Sequence, residues 1–131
     1  MWSDAPSQTL VSERDVLIVE DELTTRNALS ALLANLGFVT HAVGSAELAL
    51  ARLDAGEHPE IALVDLDLPG MNGADFITIL LARQPGVFSV LITAAEPDRV
   101  ANVLAKGVPH MRKPLDFKEL LKVLDRRGRS V

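Results

Sequence analysis

The chain has 131 residues and is 48% hydrophobic but only 4% aromatic, which bounds it to one domain with a core of Leu, Val, Ile and Ala. Its 13 Lys and Arg against 18 Asp and Glu leave a net charge of −5, a balance that argues against a nucleic-acid-binding surface. With no Cys at all, disulfides, thiolate catalysis and Cys-ligated zinc are excluded.

The N-terminal MWSDAPSQTL has neither a basic n-region nor an apolar h-region, so it does not read as a signal peptide. No apolar run approaches the roughly 20 residues a bilayer span needs. A soluble cytoplasmic chain without membrane contact is the expectation.

Residues 1–14 are polar, include Pro6 and show no period; they read as a flexible N-terminal tail. Residues 16–19, VLIV, are a continuous β-branched apolar run, the pattern of a strand buried on both faces. Three acids close it, Glu20, Asp21 and Glu22. Leu29, Leu32, Leu33 and Leu36 then repeat at i, i+3, i+4, i+7, which predicts an amphipathic helix stopped by Gly37. Residues 38–42 predict a weaker strand near a sheet edge, because Thr40 and His41 are polar. Ser45 is placed to cap a second helix, with Ala46, Ala49, Leu50 and Leu53 on one face.

The third strand, 61–64 (IALV), runs straight into Asp65, with Asp67 next and Pro69-Gly70 turning the chain. After Gly73 a third helix turns Phe76, Ile77, Leu80 and Leu81 inward. Residues 87–92 predict a fourth strand ending at Thr93, and a fourth helix starts near Pro97. The fifth strand, 108–111, contains Pro109 and so belongs at an edge. It leads into Arg112-Lys113-Pro114. Asp116 and Glu119 form a capping-box pattern for a last helix using Phe117, Leu120, Leu121 and Leu124.

Five β-α units with near-continuous apolar strands predict a parallel sheet covered by helices on both faces. Right-handed crossovers and the most apolar strands in the middle favour a flavodoxin-like (βα)5 sandwich with strand order 2-1-3-4-5. The domain is expected over 15–127, with 128–131 a C-terminal tail.

In such a sheet every strand's carboxyl end faces the same edge, where ligands bind. That edge collects Glu20 and Asp21 from the first strand, Asp65 from the third, Thr93 from the fourth and Lys113 from the fifth. Clustered carboxylates repel each other and raise each other's pKa. A hard divalent cation removes the conflict, and oxygen ligands suit Mg2+. Thr93 and Lys113 beside a metal-bound acid can hold the oxygens of a phosphoryl group, which is the apparatus for phosphoryl transfer onto a carboxylate. Alone, Asp65 would read as a strand-end acid making an Asx turn; its companions decide against that.

Four segments, VLIVEDE, IALVDLDLPGMNG, VLITA and RKPLDFKELL, occur in an order and spacing that resembles the receiver domains of two-component response regulators. The resemblance implies that Asp65 accepts a phosphoryl group from a partner histidine kinase or histidine phosphotransfer protein. It further implies that Glu20, Asp21, Asp65 and the backbone carbonyl of Asp67 surround Mg2+, that Thr93 and Lys113 bind the phosphoryl oxygens, and that Lys113-Pro114 is cis. It also implies signalling to a downstream protein through the fourth helix, fifth strand and fifth helix, as a monomer or a phosphorylation-dependent dimer, rather than turnover as an enzyme.

Three features depart from the family pattern. The acid pair begins with Glu20 where Asp is usual, the GVPHMRK loop is one residue short, and the switch position, usually Tyr or Phe, is His110. Two other readings compete: a degenerate receiver acting as a binding module, and a phosphatase using Asp65-Leu66-Asp67 as a DxD nucleophile motif. The mid-chain place of that motif weighs against the phosphatase.

Overall fold

Each apolar run becomes a strand, and each periodic segment among the described residues becomes a helix. The computed structural model describes residues 14–94 and 106–126. In chain order these form β1 (Asp15–Val19), α1 (Leu23–Asn35), β2 (Val39–Val43), α2 (Ala46–Asp54) and β3 (Ile61–Asp65). They are followed by α3 (Gly73–Arg83), β4 (Phe88–Thr93), β5 (His110–Arg112) and α4 (Phe117–Arg126). The helix expected to start near Pro97, residues 1–13 of the N-terminal tail and the C-terminal tail lie outside the described residues.

The five strands make one parallel sheet in the order β2-β1-β3-β4-β5, the flavodoxin-like order the sequence predicts. Side chains alternate across it. Leu17, Val19, Ala62, Val64 and Leu91 enter a core shared with Ala46 and Ala49 of α2 and Phe76, Ile77 and Leu80 of α3. Val16, Ile18, Ile61, Leu63, Val90 and Ile92 enter the opposite core, with Leu29 and Leu33 of α1 and Leu120 and Leu124 of α4. Burial on both faces is the reason β1, β3 and β4 read as unbroken apolar runs instead of alternating ones. Each fully buried Leu, Ile or Phe contributes about 1.5–3 kcal/mol.

Helix ends follow local chemistry. Gly37 (φ +94) closes α1, its N–H reaching the Ala34 carbonyl while the Phe38 N–H reaches that of Leu33. This is a Schellman turn, which needs a residue with positive φ. Phe38 therefore belongs to the cap and not to the strand, so β2 starts one residue later than the sequence predicts. Ser45 accepts from the Leu48 N–H at 3.1 Å and caps α2 as expected. Asp116 Oδ1 accepts from the N–H groups of Lys118 (2.9 Å) and Glu119 (3.3 Å) at the start of α4.

Two predicted inward residues face out. Leu36 is 45% exposed and Phe117 42%, because each sits at a helix end, where the turn carries the chain off the sheet. β5 is shorter than expected and starts after Pro109, whose missing N–H suits an edge. His41, one of the polar residues that mark the edge strand, lies half-buried on β2 with Nδ1 3.2 Å from Arg52 Nη2 and Nε2 3.8 Å from Asp15 Oδ1. Those partners come from an adjacent strand and a crossing helix, which sequence spacing does not show.

Candidate functional site

The carboxyl edge of the sheet brings the predicted groups together. β3 delivers Asp65, 2% exposed, to its last position. Its Oδ1 accepts from the Asp67 N–H at 3.2 Å, and its Oδ2 pairs with Lys113 Nζ at 3.1 Å. The Asx-type contact to residue 67 is therefore real, but it is one bond of several.

One carboxylate oxygen from each of Glu20, Asp21 and Asp65 lies within 4.8 Å of the other two. Glu20 and Asp65 are buried and Asp21 is exposed, so the cluster opens to solvent on the Asp21 side. The pKa of Glu20 is raised, first by burial and then by the charge of Asp65, although the Glu22 N–H and Lys113 oppose this. For Lys113, burial alone would lower the pKa; its hydrogen bond to Asp65 and the charges of Asp65, Glu20 and Asp67 outweigh this and raise it. Three hard oxygen donors in mutual conflict are the donor set that a small divalent cation satisfies.

Thr93 is fully buried at the end of β4, and its carbonyl accepts from the Lys113 N–H at 3.0 Å. The Lys113–Pro114 peptide is cis, as the resemblance implies. Pairing of β4 with β5 sets Thr93 opposite Arg112 and His110 opposite Leu91. Thr93 and His110 thus share a face of the sheet, but His110 is exposed. It lines a cleft of about 300 Å3 with Met111, Arg112, Asp116, Glu119 and Val123. The side chain of Asp67 is exposed, beside the cluster and not within it.

Three residues outside the predicted site set hold this geometry. Arg26 of α1 donates from Nη1 to the Glu20 carbonyl at 2.9 Å, with the Asp21 carbonyl at 3.5 Å. Its guanidinium lies against Gly44, so a basic side chain fixes the backbone of the acid pair from outside the pocket. Glu47 of α2 accepts from the Met71 N–H at 3.0 Å. Gly73 starts α3 with its N–H on the Leu66 carbonyl at 2.9 Å. A Cβ at Gly73 would collide with the Asp65 carbonyl oxygen and stand 2.8 Å from its carbon. A helix-starting glycine after Asn72 was a legible signal for Gly73. Nothing in the spacing marked Arg26 or Glu47.

The Gly73 contact leads to the first prediction. Gly73→Ala is expected to push α3 off the end of β3 and to cost about 1–3 kcal/mol, read as a lower urea midpoint. An unchanged midpoint would show that the close approach is not needed.

A doubly wound α/β domain with an acid cluster and a lysine at the carboxyl edge of its sheet is the class that fold and site define. A family profile for the response regulator receiver domain matches residues 16–125. The two-component response regulator PhoP of Pseudomonas aeruginosa is 39% identical over 108 residues, covering 80% of this chain and 47% of that protein. Among solved structures, a CheY-like receiver domain protein from Methanospirillum hungatei superposes with a TM-score of 0.81 at 23% identity, covering 92% of this chain and all (100%) of that one. The BeF3-activated receiver domain of nitrogen regulatory protein C gives a TM-score of 0.73 at 26% identity, over 87% of this chain and 93% of that one. The chain belongs to the response regulator receiver domain family. It spans about half the length of the curated relatives it matches. No described helix is long and apolar enough to cross a membrane.

Proposed function

We propose that this receiver, taken as residues 15–127, accepts a phosphoryl group on Asp65 from the phosphohistidine of a kinase or phosphotransfer protein. One observation carries the reading: Asp65 is buried at the end of β3, with Lys113 Nζ 3.1 Å away and oxygens of Glu20 and Asp21 within 4.8 Å. An Asp65 oxygen attacks phosphorus as the bond from phosphorus to the imidazole nitrogen breaks, its electron pair leaving with that nitrogen. An acyl phosphate forms.

Glu20, Asp21, Asp65 and the Asp67 backbone carbonyl would hold Mg2+. Bound there, the ion supplies the positive charge that offsets the carboxylates and the incoming phosphoryl oxygens. Lys113 moves its ion pair from Asp65 to the phosphoryl group, and Thr93 donates to it from the end of β4. The relative solved in a BeF3-activated form supports an acyl-phosphate state.

The added charge biases a pre-existing equilibrium instead of building a new shape. Its readout is the surface around β5 and α4, where His110 and the cleft beside it face solvent. A downstream protein is the natural partner, and turnover of a separate substrate is not part of the reading.

The test is incubation with acetyl phosphate. Labelling of Asp65 that requires Mg2+ is the expected result. No labelling at saturating Mg2+ would overturn the phosphoacceptor and leave a binding module; hydrolysis of small phosphate esters dependent on Asp65 would instead revive the phosphatase.

A further inference from the structure

We infer that Glu47, outside the acid cluster, is a positioning residue for the loop that follows Asp65, holding the Pro69-Gly70-Met71 turn against α2. The inference rests on the phosphoacceptor reading and names a further residue of the same site.

Most of the connection between β3 and α3 is held by its own groups. The Leu68 and Gly73 N–H groups both reach the Leu66 carbonyl, at 3.1 and 2.9 Å. Asn72 Oδ1 caps α3 through the Asp75 N–H at 2.9 Å. Between these fixed points the chain bulges outward through an exposed Pro69-Gly70, where Gly70 has φ +77. Glu47 meets the loop there. Its Oε2 takes the Met71 N–H at 3.0 Å and passes so close over residue 70 that a Cβ would stand 2.7 Å from it. Glycine suits position 70 for its backbone angle, and a side chain there would have to displace the Glu47 carboxylate.

The clamp has a firm base. Ala46 and Ala49, flanking Glu47 on α2, are fully buried in the core that also contains Val64, Leu66 and Leu68. Ser45 fixes the first turn of that helix. The Met71 N–H, and after it the N–H of Glu47 itself, hold the Glu47 carboxyl below its ordinary range, so the bond is charge-assisted at neutral pH. The held segment carries Asp67, whose N–H donates to Asp65 Oδ1 and whose carbonyl is assigned to Mg2+. Releasing the turn loosens both.

The test compares Glu47→Ala and Glu47→Gln with the wild-type chain in Mg2+ titrations followed by calorimetry and by the Met71 and Asp67 amide resonances. Glu47→Ala is expected to weaken Mg2+ binding roughly tenfold, the scale on which partners behind a metal's own ligands act. It should also move both resonances, while Glu47→Gln, which keeps an acceptor oxygen on the same stem, recovers most of the affinity. If both variants bind Mg2+ as the wild type does, or if Gln does no better than Ala, the inference fails alone. A wild-type chain that takes no Mg2+ overturns the metal assignment and this inference with it.

Discussion

Asp65→Asn is expected to lose roughly a thousandfold or more of the acetyl phosphate labelling, because the amide offers no nucleophilic oxygen. The same change should stabilise the metal-free domain. Asparagine is nearly isosteric and can still accept the Asp67 N–H, so little packing is lost. What is removed is a carboxylate only 2% exposed that faces two other acids. Removing one charge from a cluster of like charges relieves their repulsion and the cost of burying that carboxylate, a net gain of about 1–2 kcal/mol after the loss of the partly exposed Lys113 pair is set against it.

The pH dependence gives a second readout of the same variant. Glu20 has a raised pKa, so its contribution favours the folded state fully below the ordinary 4.5 and is lost as pH rises through the raised value. In Asp65→Asn the part of that shift due to Asp65 disappears, while the larger part due to burial stays. Metal-free stability should therefore fall less steeply from pH 4.5 towards neutrality than in the wild type. Equal slopes in urea denaturation would show that Asp65 does not act on Glu20.

The fold was legible because both of its codes are local. Buried parallel strands write themselves as VLIV and IALV, and the glycines that close helices announce positive φ, as Gly37 and Gly56 do. Strand order followed from which runs were most apolar. The errors fall where local pattern and tertiary path part company. Leu36 continues the helical period but lies on the cap, and Phe38 looks like strand but completes a Schellman turn.

The acid cluster was legible for a different reason. In a parallel sheet, strand ends converge by topology alone, so reading Glu20, Asp21, Asp65, Thr93 and Lys113 off four strand ends also places them at one edge. The supporting residues obey no such rule. Glu47 stands 24 positions from Met71, and an acid in a helix's first turn reads as a partner for the helix dipole. Arg26 reaches backbone carbonyls, which have no identity in a sequence. His110 shows the converse case. Its register position follows from the strand, yet its exposure depends on what covers the edge beside β5, which no periodicity reports.

Lys113→Ala is expected to separate the two roles of the site. The lysine supplies the positive charge 3.1 Å from Asp65, and its charge also opposes the raised pKa of Glu20. Without it, Asp65 keeps the Asp67 N–H but loses its cation, and Glu20 is pushed further up. Removing one partner of a fully buried pair costs about 3–5 kcal/mol. The Lys113 side chain is 36% exposed, so solvent screening reduces this to about 1–2 kcal/mol in the metal-free chain. Wild-type stability should carry the same signature at high pH. The raised pKa of Lys113 makes its contribution fully present below the ordinary 10.5 and lost as pH rises through the raised value. Saturating Mg2+ should offset most of the alanine variant's deficit, since an ion bound only to the folded state adds about 2.7 kcal/mol at a hundred times its Kd. Labelling should not recover with it. The phosphoryl oxygens still lack the ammonium, and uptake from acetyl phosphate should stay about 10²-fold down, the scale of losing one preorganised charge at a transition state. Arginine should restore stability better than labelling, because its planar fork does not reproduce a compact ammonium at the end of β5. Restoration of stability and labelling together by Mg2+ alone would assign Lys113 a purely structural role.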